Sequence, residues 1–209
     1  MFSRSNALAC VAGVMVLGMS AWAHAAGDPA AGEKKFYTCY GCHGLPHYRN
    51  AYPDYSVPML RHQNAAYITA ALQEYRSGER PHPTMHAQAA SLSDQDIADI
   101  AAYLQGAEPV KANKTIVGKT PAQVAACTAC HGENGTGVES PLTPQPPVLA
   151  GQHVDYLEQA LTTYRNGRRK NVVMVGMAKL LVTDEDLKIA AAYFANQPSP
   201  LVTASSNGK

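Results

Sequence analysis

The sequence predicts an all-α protein that contains two copies of one helical unit. Two observations support this prediction. The pattern C-x-x-C-H occurs twice, at residues 39–43 and 127–131. Around both copies, apolar residues recur at the 3.6-residue period of helices, and no segment shows the convincing alternation of a strand.

The two copies are related by a nearly constant spacing along the chain. Cys39 and Cys127 are 88 residues apart, and Asp94 and Asp184 are 90 apart. A larger set is spaced by 89 residues: Pro58, Leu60, Gln63, Tyr67, Tyr75, Arg76 and Gly78 correspond to Pro147, Leu149, Gln152, Tyr156, Tyr164, Arg165 and Gly167. So many matches, with a spacing that changes by one residue at only two places, indicate a duplicated domain. Each copy is about 85 residues, which is small for an apolar core without a cofactor.

The C-x-x-C-H pattern is the attachment signature of c-type haem. Two thiols three positions apart on one helical turn can form thioethers with the two haem vinyl groups, and the adjacent histidine then lies under the iron. The sequence therefore predicts two covalently bound haem c groups. The predicted attachment residues are Cys39, Cys42 and His43 in the first copy and Cys127, Cys130 and His131 in the second.

The four cysteines could also bind zinc or form redox disulfides. Four cysteines in two pairs could hold a structural zinc ion, but a zinc ribbon separates its pairs by about 15–20 residues. A redox disulfide is the other alternative, although no thioredoxin-like strand pattern surrounds either pair. The histidine at the same offset in both copies favours haem.

The first 25 residues are typical of a signal peptide. Arg4 supplies the positive charge, residues 8–19 the apolar stretch, and residues 23–25 a cleavage site of small residues. An uncleaved anchor is the alternative. Because haem attachment in bacteria takes place outside the cytoplasm, we expect a periplasmic protein that is either soluble or loosely associated with the membrane surface.

The charge of the exported chain is balanced. The full sequence has 17 Lys and Arg against 16 Asp and Glu, and the signal segment removes one basic residue, Arg4. Four haem propionates would make the holoprotein acidic, which argues against nucleic-acid binding.

Each copy is expected to contain a middle helix and a last helix with buried apolar stripes. The middle stripes are Ile68, Ala71, Leu72, Tyr75 and Leu157, Ala160, Leu161, Tyr164; the last stripes are Ile97, Ile100, Ala101, Leu104 and Leu187, Ala190, Ala191, Phe194. Capping boxes at Ser93 and Thr183 begin the last helices. The predicted divisions are a signal peptide (1–25), two domains (26–106 and 118–197), a linker (107–117) and a flexible tail (198–209).

Each iron needs a sixth ligand or an open position. Met85 lies in the loop before the last helix of the first copy, and Met174 is 89 residues further on. This correspondence favours Met85 and Met174 as ligands, with Met177 as the alternative to Met174. His82 and His86 flank Met85 and are alternatives in the first copy. Paired methionine and histidine would raise the reduction potential relative to two histidines.

Together these motifs resemble the dihaem cytochrome c4 family, and more generally the class I cytochromes c. The resemblance rests on residues 27–32, on both C-x-x-C-H-G motifs, on residues 147–152 and on the helix start at 183–186, and it covers about 26–197. It implies two cytochrome c domains related by a pseudo-twofold axis, with propionate edges facing across the interface. It also implies that the Pro58 and Pro147 carbonyls accept hydrogen bonds from the proximal histidines.

The resemblance further implies periplasmic electron transfer, often from a cytochrome bc complex to a haem-copper oxidase, with a periplasmic dehydrogenase as another donor. Two alternatives remain: the cytochrome subunit of a dehydrogenase that oxidises sulfur compounds, and a dihaem peroxidase. A peroxidase needs an open iron position, which paired Met85 and Met174 argue against.

One segment departs from the repeat, and two others are each open to two interpretations. Arg61 and His62 stand where the second copy has the small pair Ala150-Gly151, which adds bulk and charge at this position. The aromatic segment 47–55 is either a loop that shields the haem or a docking patch or propionate contact. The basic run 165–170 is either a solvated helix end or a docking surface for acidic groups.

Overall fold

The computed structural model describes residues 27–107, 115–138 and 146–205 of the 209-residue chain. The predicted signal peptide (1–25), most of the predicted linker (107–117) and the last four tail residues lie outside the described residues. Within the described ranges the chain forms nine α-helices, and its extended pairing is limited to two isolated bridges. The all-α prediction is therefore confirmed.

The two domains repeat one arrangement of helices. The first contains α1 (Pro29–Lys35), a 3₁₀ turn (Phe36–Cys39), α2 (Tyr40–His43), α3 (Ala65–Ser77), α4 (Pro83–Ala89) and α5 (Asp94–Gln105). The second contains a 3₁₀ turn (Ala122–Val124), α6 (Thr128–His131), α7 (Val154–Arg165), α8 (Val172–Ala178) and α9 (Asp184–Ala195). In both domains the middle and last helices pack against each other, α3 on α5 and α7 on α9.

The last helices begin where the sequence predicts. Ser93 and Thr183 each accept a hydrogen bond from the backbone of the third helical residue, and the Asp96 and Asp186 carboxylates in turn accept the backbone N–H of the cap residue. This satisfies backbone donors that a helix otherwise leaves unpaired. The predicted stripes of α5 and α9 are buried in two separate apolar cores, one in each domain.

The first helix approaches α5 closely because Gly32 has no side chain. A Cβ atom at Gly32 would lie 2.0 Å from the carbonyl oxygen of Asp99. Asp99 is itself buried, and its carboxylate accepts the backbone N–H of Asp28 at 2.8 Å. The N-terminus of α1 is thus attached to the middle of α5.

The domain interface contains a reciprocal pair of glutamines. The Gln63 side chain bonds the backbone N–H and C=O of Val148 at 2.8 and 3.0 Å. The Gln152 side chain bonds the backbone N–H and C=O of Met59 at 3.1 and 3.0 Å. Both glutamines, and both backbone partners, are 89 residues apart. The two pairs of hydrogen bonds are thus related to each other as the predicted pseudo-twofold axis would relate them.

A second interdomain contact has no counterpart across the symmetry. The Asp155 carboxylate accepts the backbone N–H and the hydroxyl of Ser56, both at 2.9 Å, and Nη1 of Arg49 at 2.7 Å. Tyr55 is buried and packs on Tyr156, with ring centroids 6.2 Å apart. The aromatic segment 47–55 therefore contributes to the domain interface, a role the sequence analysis did not consider.

The segment after Pro198 corrects the expectation of a flexible tail. Leu201 is buried beside Val148 and Ala150, and Ala204 is buried in the core of the first domain. Val202 and Arg61 exchange two backbone hydrogen bonds at 3.2 and 3.3 Å. We call residues 198–205 the strap, because they run from the second domain onto the first. The apolar side chains Leu201 and Ala204 find buried surface there, which offsets the entropy of ordering the chain.

Arg61 and His62 also find a structural explanation. His62 has φ of 62° and the corresponding Gly151 has φ of 63°, so both copies require the left-handed conformation at this position. The Arg61 guanidinium lies 4.5 Å from the centroid of the Tyr103 ring, beneath the strap.

No helix in the described part of the chain is long and apolar enough to cross a membrane.

Candidate haem sites

Each C-x-x-C-H motif forms a short helical turn at the wall of an apolar pocket. In the first domain Cys39, Cys42 and His43 line one pocket. In the second, Cys127 and His131 line another. Cys130 lies one turn further on and is exposed. Because the two cysteine pairs border different pockets, they do not converge on one four-thiol zinc site. None of these four cysteines is joined to another in a disulfide.

The two histidines are held in the same way. Nδ1 of His43 lies 3.1 Å from the carbonyl oxygen of Pro58, and Nδ1 of His131 lies 3.1 Å from that of Pro147. A carbonyl can only accept, so Nδ1 carries the proton and donates. Nε2 is then the unprotonated nitrogen that can bind a metal.

Burial keeps both rings neutral. Desolvation lowers the pKa of His43 to about 4, although the hydrogen bond to Pro58 opposes the shift. Desolvation also lowers the pKa of His131, again against the hydrogen bond to Pro147. Neutral imidazole is the form that ligates iron. The geometry and the protonation state of both histidines therefore fit a proximal ligand.

The predicted methionines lie on the opposite helices of the same pockets. Met85 on α4 lines the first pocket, and Met174 on α8 lines the second. Asn171 caps α8 and accepts the backbone N–H of Met174 at 3.1 Å. Met177 lies on the outer side of α8 and is 36% exposed. The structure thus brings Met174 into the pocket with His131 and leaves Met177 at the surface.

The alternative histidines take other roles. His82 lines the first pocket, and its Nδ1 accepts the backbone N–H of Met85 at 3.3 Å. His82 is thus the N-cap of α4. His86 is exposed, with Nδ1 2.8 Å from the carbonyl oxygen of Tyr75. His82 therefore holds the helix that carries Met85.

Two buried arginines lie where the pockets approach each other. Arg80 is 3% exposed, and its Nη2 donates to the hydroxyls of Tyr67 and Tyr156, both at 3.0 Å. Arg169 is 6% exposed and lies over the rings of Tyr156 and Tyr164. Tyr67 and Tyr156 come from different domains and line both pockets.

Arg80 has unused hydrogen-bonding capacity. Its Nε and Nη1 are buried without a hydrogen-bond partner in the described part of the chain, and the Glu74 carboxylate is 3.7 Å from Nη1. Buried donors that lack a hydrogen bond are costly, so the free Nε and Nη1 can accept a further anionic partner beside the Glu74 ion pair. A haem carries two propionate groups. The apolar pocket, the neutral histidine, the methionine and the two arginine donors without a hydrogen bond together fit a bound haem.

Sequence analysis missed these arginines. Arg169 was considered within a basic run at a solvated helix end, but it is buried, and Arg80 was not considered. A signal was present, because Arg80 and Arg169 are 89 residues apart, the spacing of the repeat.

The comparisons with known proteins agree with this geometry. A family model described as cytochrome c matches residues 29–108 and 117–197. Cytochrome c4 of Pseudomonas aeruginosa is 36% identical over 195 residues, which cover 86% of this chain and 94% of that protein. The thiosulfate dehydrogenase electron acceptor of Stutzerimonas stutzeri is 32% identical over 193 residues, with 80% and 87% covered. A crystal structure of reduced recombinant cytochrome c4 from Pseudomonas stutzeri aligns with a TM-score of 0.62 and 28% identity, covering 83% of this chain and all of that one.

Two tandem helical domains, each with a C-x-x-C-H turn and a methionine that line the same apolar pocket, define a dihaem c-type cytochrome. The chain belongs to the cytochrome c family and, within it, to the cytochrome c4 group. It is an electron-transfer protein, not an enzyme, and its two domains bind covalently attached haem c. Its partners are other redox proteins.

Proposed function

We propose that this cytochrome relays electrons through the periplasm. The donor is a cytochrome bc complex or a periplasmic dehydrogenase, and the acceptor is a terminal haem-copper oxidase. The observation that carries the relay is the wall common to both pockets: Pro58, Leu60, Tyr67 and Tyr156 line each of them. Two redox centres separated by so thin a wall are suited to pass an electron from one domain to the other.

The residue assignments follow the sequence prediction. His43 and Met85 bind the first iron, and His131 and Met174 bind the second. Cys39, Cys42, Cys127 and Cys130 form the thioethers. The exposed position of Met177 supports Met174 in its place.

A haem bound in each pocket supplies an iron that accepts and releases one electron. The protein sets the conditions for that change. The Pro58 and Pro147 carbonyls fix the orientation of the histidine rings and increase their basicity. The apolar walls exclude water, and Arg80 and Arg169 place positive charge between the pockets. These features keep the protein around each iron nearly unchanged when the charge of the iron changes.

A second function is favoured by one comparison. A relative that covers most of the chain is a thiosulfate dehydrogenase electron acceptor. Our chain would then accept electrons from a periplasmic dehydrogenase that oxidises sulfur compounds, or form its cytochrome subunit. A dihaem peroxidase is less favoured, because Met85 and Met174 both line the pockets where an open iron would be needed.

The location is also a proposal. Residues 1–25 direct export and are removed, and the mature protein acts in the periplasm, free or loosely bound to the membrane surface. Mass spectrometry of the purified holoprotein tests this directly. Its mass should equal that of residues 26–209 plus two haems, and retention of residues 1–25 would contradict it.

The function is tested with purified holoprotein in two steps. The oxidised spectrum should show the weak far-red band of an iron–methionine bond at an intensity for two haems, and carbon monoxide should leave the reduced spectrum unchanged. The reduced protein should then be oxidised by membranes that contain a haem-copper oxidase, at a rate abolished by cyanide. Carbon monoxide binding would favour the peroxidase. Reduction by a thiosulfate dehydrogenase without oxidation by the membranes would favour the second function.

A further inference from the structure

The outer surface around α8 carries apolar side chains that no part of the described structure covers. Val172 is 83% exposed and Val182 is 80% exposed, and between them on α8 and the turn that follows it Val173, Met177 and Leu180 are exposed as well. We call these five residues the α8 patch. Large exposed apolar side chains concentrated in one short segment are typical of an interaction site.

The corresponding surface of the first domain is different. At the 89-residue spacing, Val172, Val173, Met177 and Leu180 correspond to Pro83, Thr84, Gln88 and Ser91. The helices have the same length and both carry a methionine that lines the pocket. The apolar surface is therefore not needed to build this fold or its haem site.

Charge around the two surfaces also differs. Arg168, Lys170 and Lys179 are exposed near α8 in the sequence, and no acidic residue occurs between positions 166 and 183. In the first domain Glu79 takes the place of Arg168, and Ala90 takes the place of Lys179. Exposed Asp184 and Glu185 follow Val182 at the start of α9, and Asp184 forms an ion pair with Arg165. Along α8 itself the second domain thus presents an apolar surface bordered by basic residues, which complements an acidic partner.

The patch lies directly outside the second haem site. Val172, Val173 and Met177 are on the same seven-residue helix as Met174, which lines the pocket. A molecule bound to this surface is therefore separated from the pocket by the thickness of one helix. Such proximity is useful to a partner that exchanges electrons.

We propose that the α8 patch is the docking surface for a redox protein whose contact face has an apolar centre and an acidic border. The proposal rests on the proposed electron relay and identifies the second domain as the part of the cytochrome on which one redox partner docks. A small contact of this kind suits the weak, transient encounters of electron-transfer proteins. A membrane surface fits less well, since interfacial helices carry Trp, Phe or Leu on a longer amphipathic face.

The exchange at this surface involves one electron and no bond. The reduced cytochrome loses one electron and the redox centre of the partner gains it; in the copper protein used as the probe below, Cu²⁺ becomes Cu⁺. No proton and no further reactant is required. The rate can therefore report docking, provided that the reduction potentials are unchanged.

The test grafts the surface of the first domain onto the second. The graft variant carries Arg168→Glu, Val173→Thr, Lys179→Ala and Leu180→Ser, each substitution introducing the residue found 89 positions earlier. The probe is a small blue-copper protein of strongly negative net charge, mixed with reduced holoprotein in stopped flow at low ionic strength. We expect the second-order rate constant to fall about tenfold or more and its salt dependence to flatten.

A matched control and a second variant accompany the graft. The control, Tyr37→Ser with Lys34→Ala, removes one exposed apolar and one basic side chain from the first domain and should leave the rate unchanged. The charge-only variant, Arg168→Glu with Lys179→Ala, keeps the apolar residues and should lose the salt dependence even if the graft folds poorly. Both are compared with wild type by far-red absorption and by potential.

Binding is also measured without electron transfer. When the reduced cytochrome is titrated with the Cu⁺ form of the probe, the methyl NMR signals of Val172 and Val173 should shift. The surface is not the docking site if the graft variant keeps the wild-type rate constant, or if the Val172 and Val173 methyl signals of the wild type do not shift in the titration.

Three further results would contradict the proposal. Loss of binding to vesicles of phosphatidylglycerol and phosphatidylcholine, with an unchanged rate, would assign the patch to the membrane. Loss of a wild-type dimer in sedimentation, with an unchanged rate, would assign it to a second copy. A wild-type protein that reduces neither the acidic probe nor a neutral copper protein, despite favourable potentials, would refute the electron relay itself.

Discussion

The two domains are alike inside and different outside. In both, a histidine Nδ1 donates to a proline carbonyl at 3.1 Å, a methionine lines the same pocket, and an arginine lies buried over tyrosine rings. The reciprocal glutamines are alike as well. Haem attachment and domain pairing impose these contacts, so both copies contain them.

The differences concern surfaces that neither haem nor pairing requires. Asp155 contacts Ser56 of the other domain, whereas the corresponding position in the first domain is Ala66, which has no carboxylate. The α8 patch faces solvent, whereas the corresponding surface of α4 is polar. The comparison teaches that duplication provides two similar redox sites and leaves the outer faces to distinguish their partners.

The largest expected effect concerns the sixth ligands. Met174→Ala should open the second iron, so that carbon monoxide binds one haem and the potential of that haem falls by roughly 0.1 V, within the range of about 0.8 V that axial ligands control. Met85→Ala should do the same to the first. Met177→Ala, the control on the same helix, should change neither. The pairing of Met85 with Met174 is wrong if Met177→Ala gives the larger effect.

The buried arginines should give the next largest effect. Arg80→Leu removes the partner of a buried anion and is expected to cost roughly 3 kcal/mol of unfolding free energy. It should also lower the first haem's potential, because loss of positive charge favours the oxidised form. Arg169→Leu should act mainly on the second haem. Potentiometric titration and urea unfolding measure both effects, with exposed Lys188→Ala as the control. An equal shift of both potentials in either variant would mean that the arginines are not specific to one domain.

The glutamine exchange allows a direct test of the symmetry. Gln63→Ala and Gln152→Ala each remove two interdomain hydrogen bonds and leave backbone groups unpaired, at a cost of roughly 1–3 kcal/mol. The two costs should agree, since the contacts are equivalent. Urea unfolding of the single and double variants gives both costs and their coupling. Costs that differ by more than about 1 kcal/mol would show that the symmetric geometry is not energetically symmetric.

The smallest expected effect concerns the contact between Asp155 and Ser56, which the repeat does not duplicate. Burial alone would raise the pKa of Asp155, but hydrogen bonds from Ser56, Tyr156 and Arg49 lower it below its ordinary value. The carboxylate therefore stabilises the fold above its unfolded pKa of about 3.9, and this stability is lost as the pH falls through the lower folded value. Asp155→Asn should cost about 1 kcal/mol at neutral pH.

The pH dependence provides the control for that variant. Wild type and Asp155→Asn should converge in stability as the pH falls below about 4. Ala66→Asp, at the corresponding position of the first domain, should not add stability, because the residue that corresponds to Ser56, at position 145, is a glutamine without a hydroxyl group. A constant difference between wild type and Asp155→Asn at all pH values would indicate a steric cause.

Much of the fold could be predicted because local rules and the repeat agree. The capping boxes at Ser93 and Thr183 identify the start of α5 and α9 without tertiary information. The C-x-x-C-H motif identifies each haem turn, and the 89-residue spacing separates Met174 from Met177. At these positions the chemistry of a short segment is sufficient.

Other features depend on contacts between distant segments. Arg80 and Arg169 occur among polar loop residues, and their burial depends on tyrosines from both domains. The strap has no helical period and no turn pattern that would distinguish it from a mobile end. Its order depends on the surface of Met59, Val148 and Ala150, which exists once the domains have paired.

The strap makes the order of synthesis relevant to the first domain. Ala204 fills the first core, and its backbone N–H donates to the carbonyl oxygen of the haem-binding residue His43 at 3.1 Å. Domains of a growing chain generally fold from the N-terminus onward. The first domain of this cytochrome, however, lacks a part of its packing until the whole second domain has been translated. A chain that ends before the strap would therefore lack both the packing of Ala204 and its hydrogen bond to His43, so its first haem site would be less well supported than that of the complete protein.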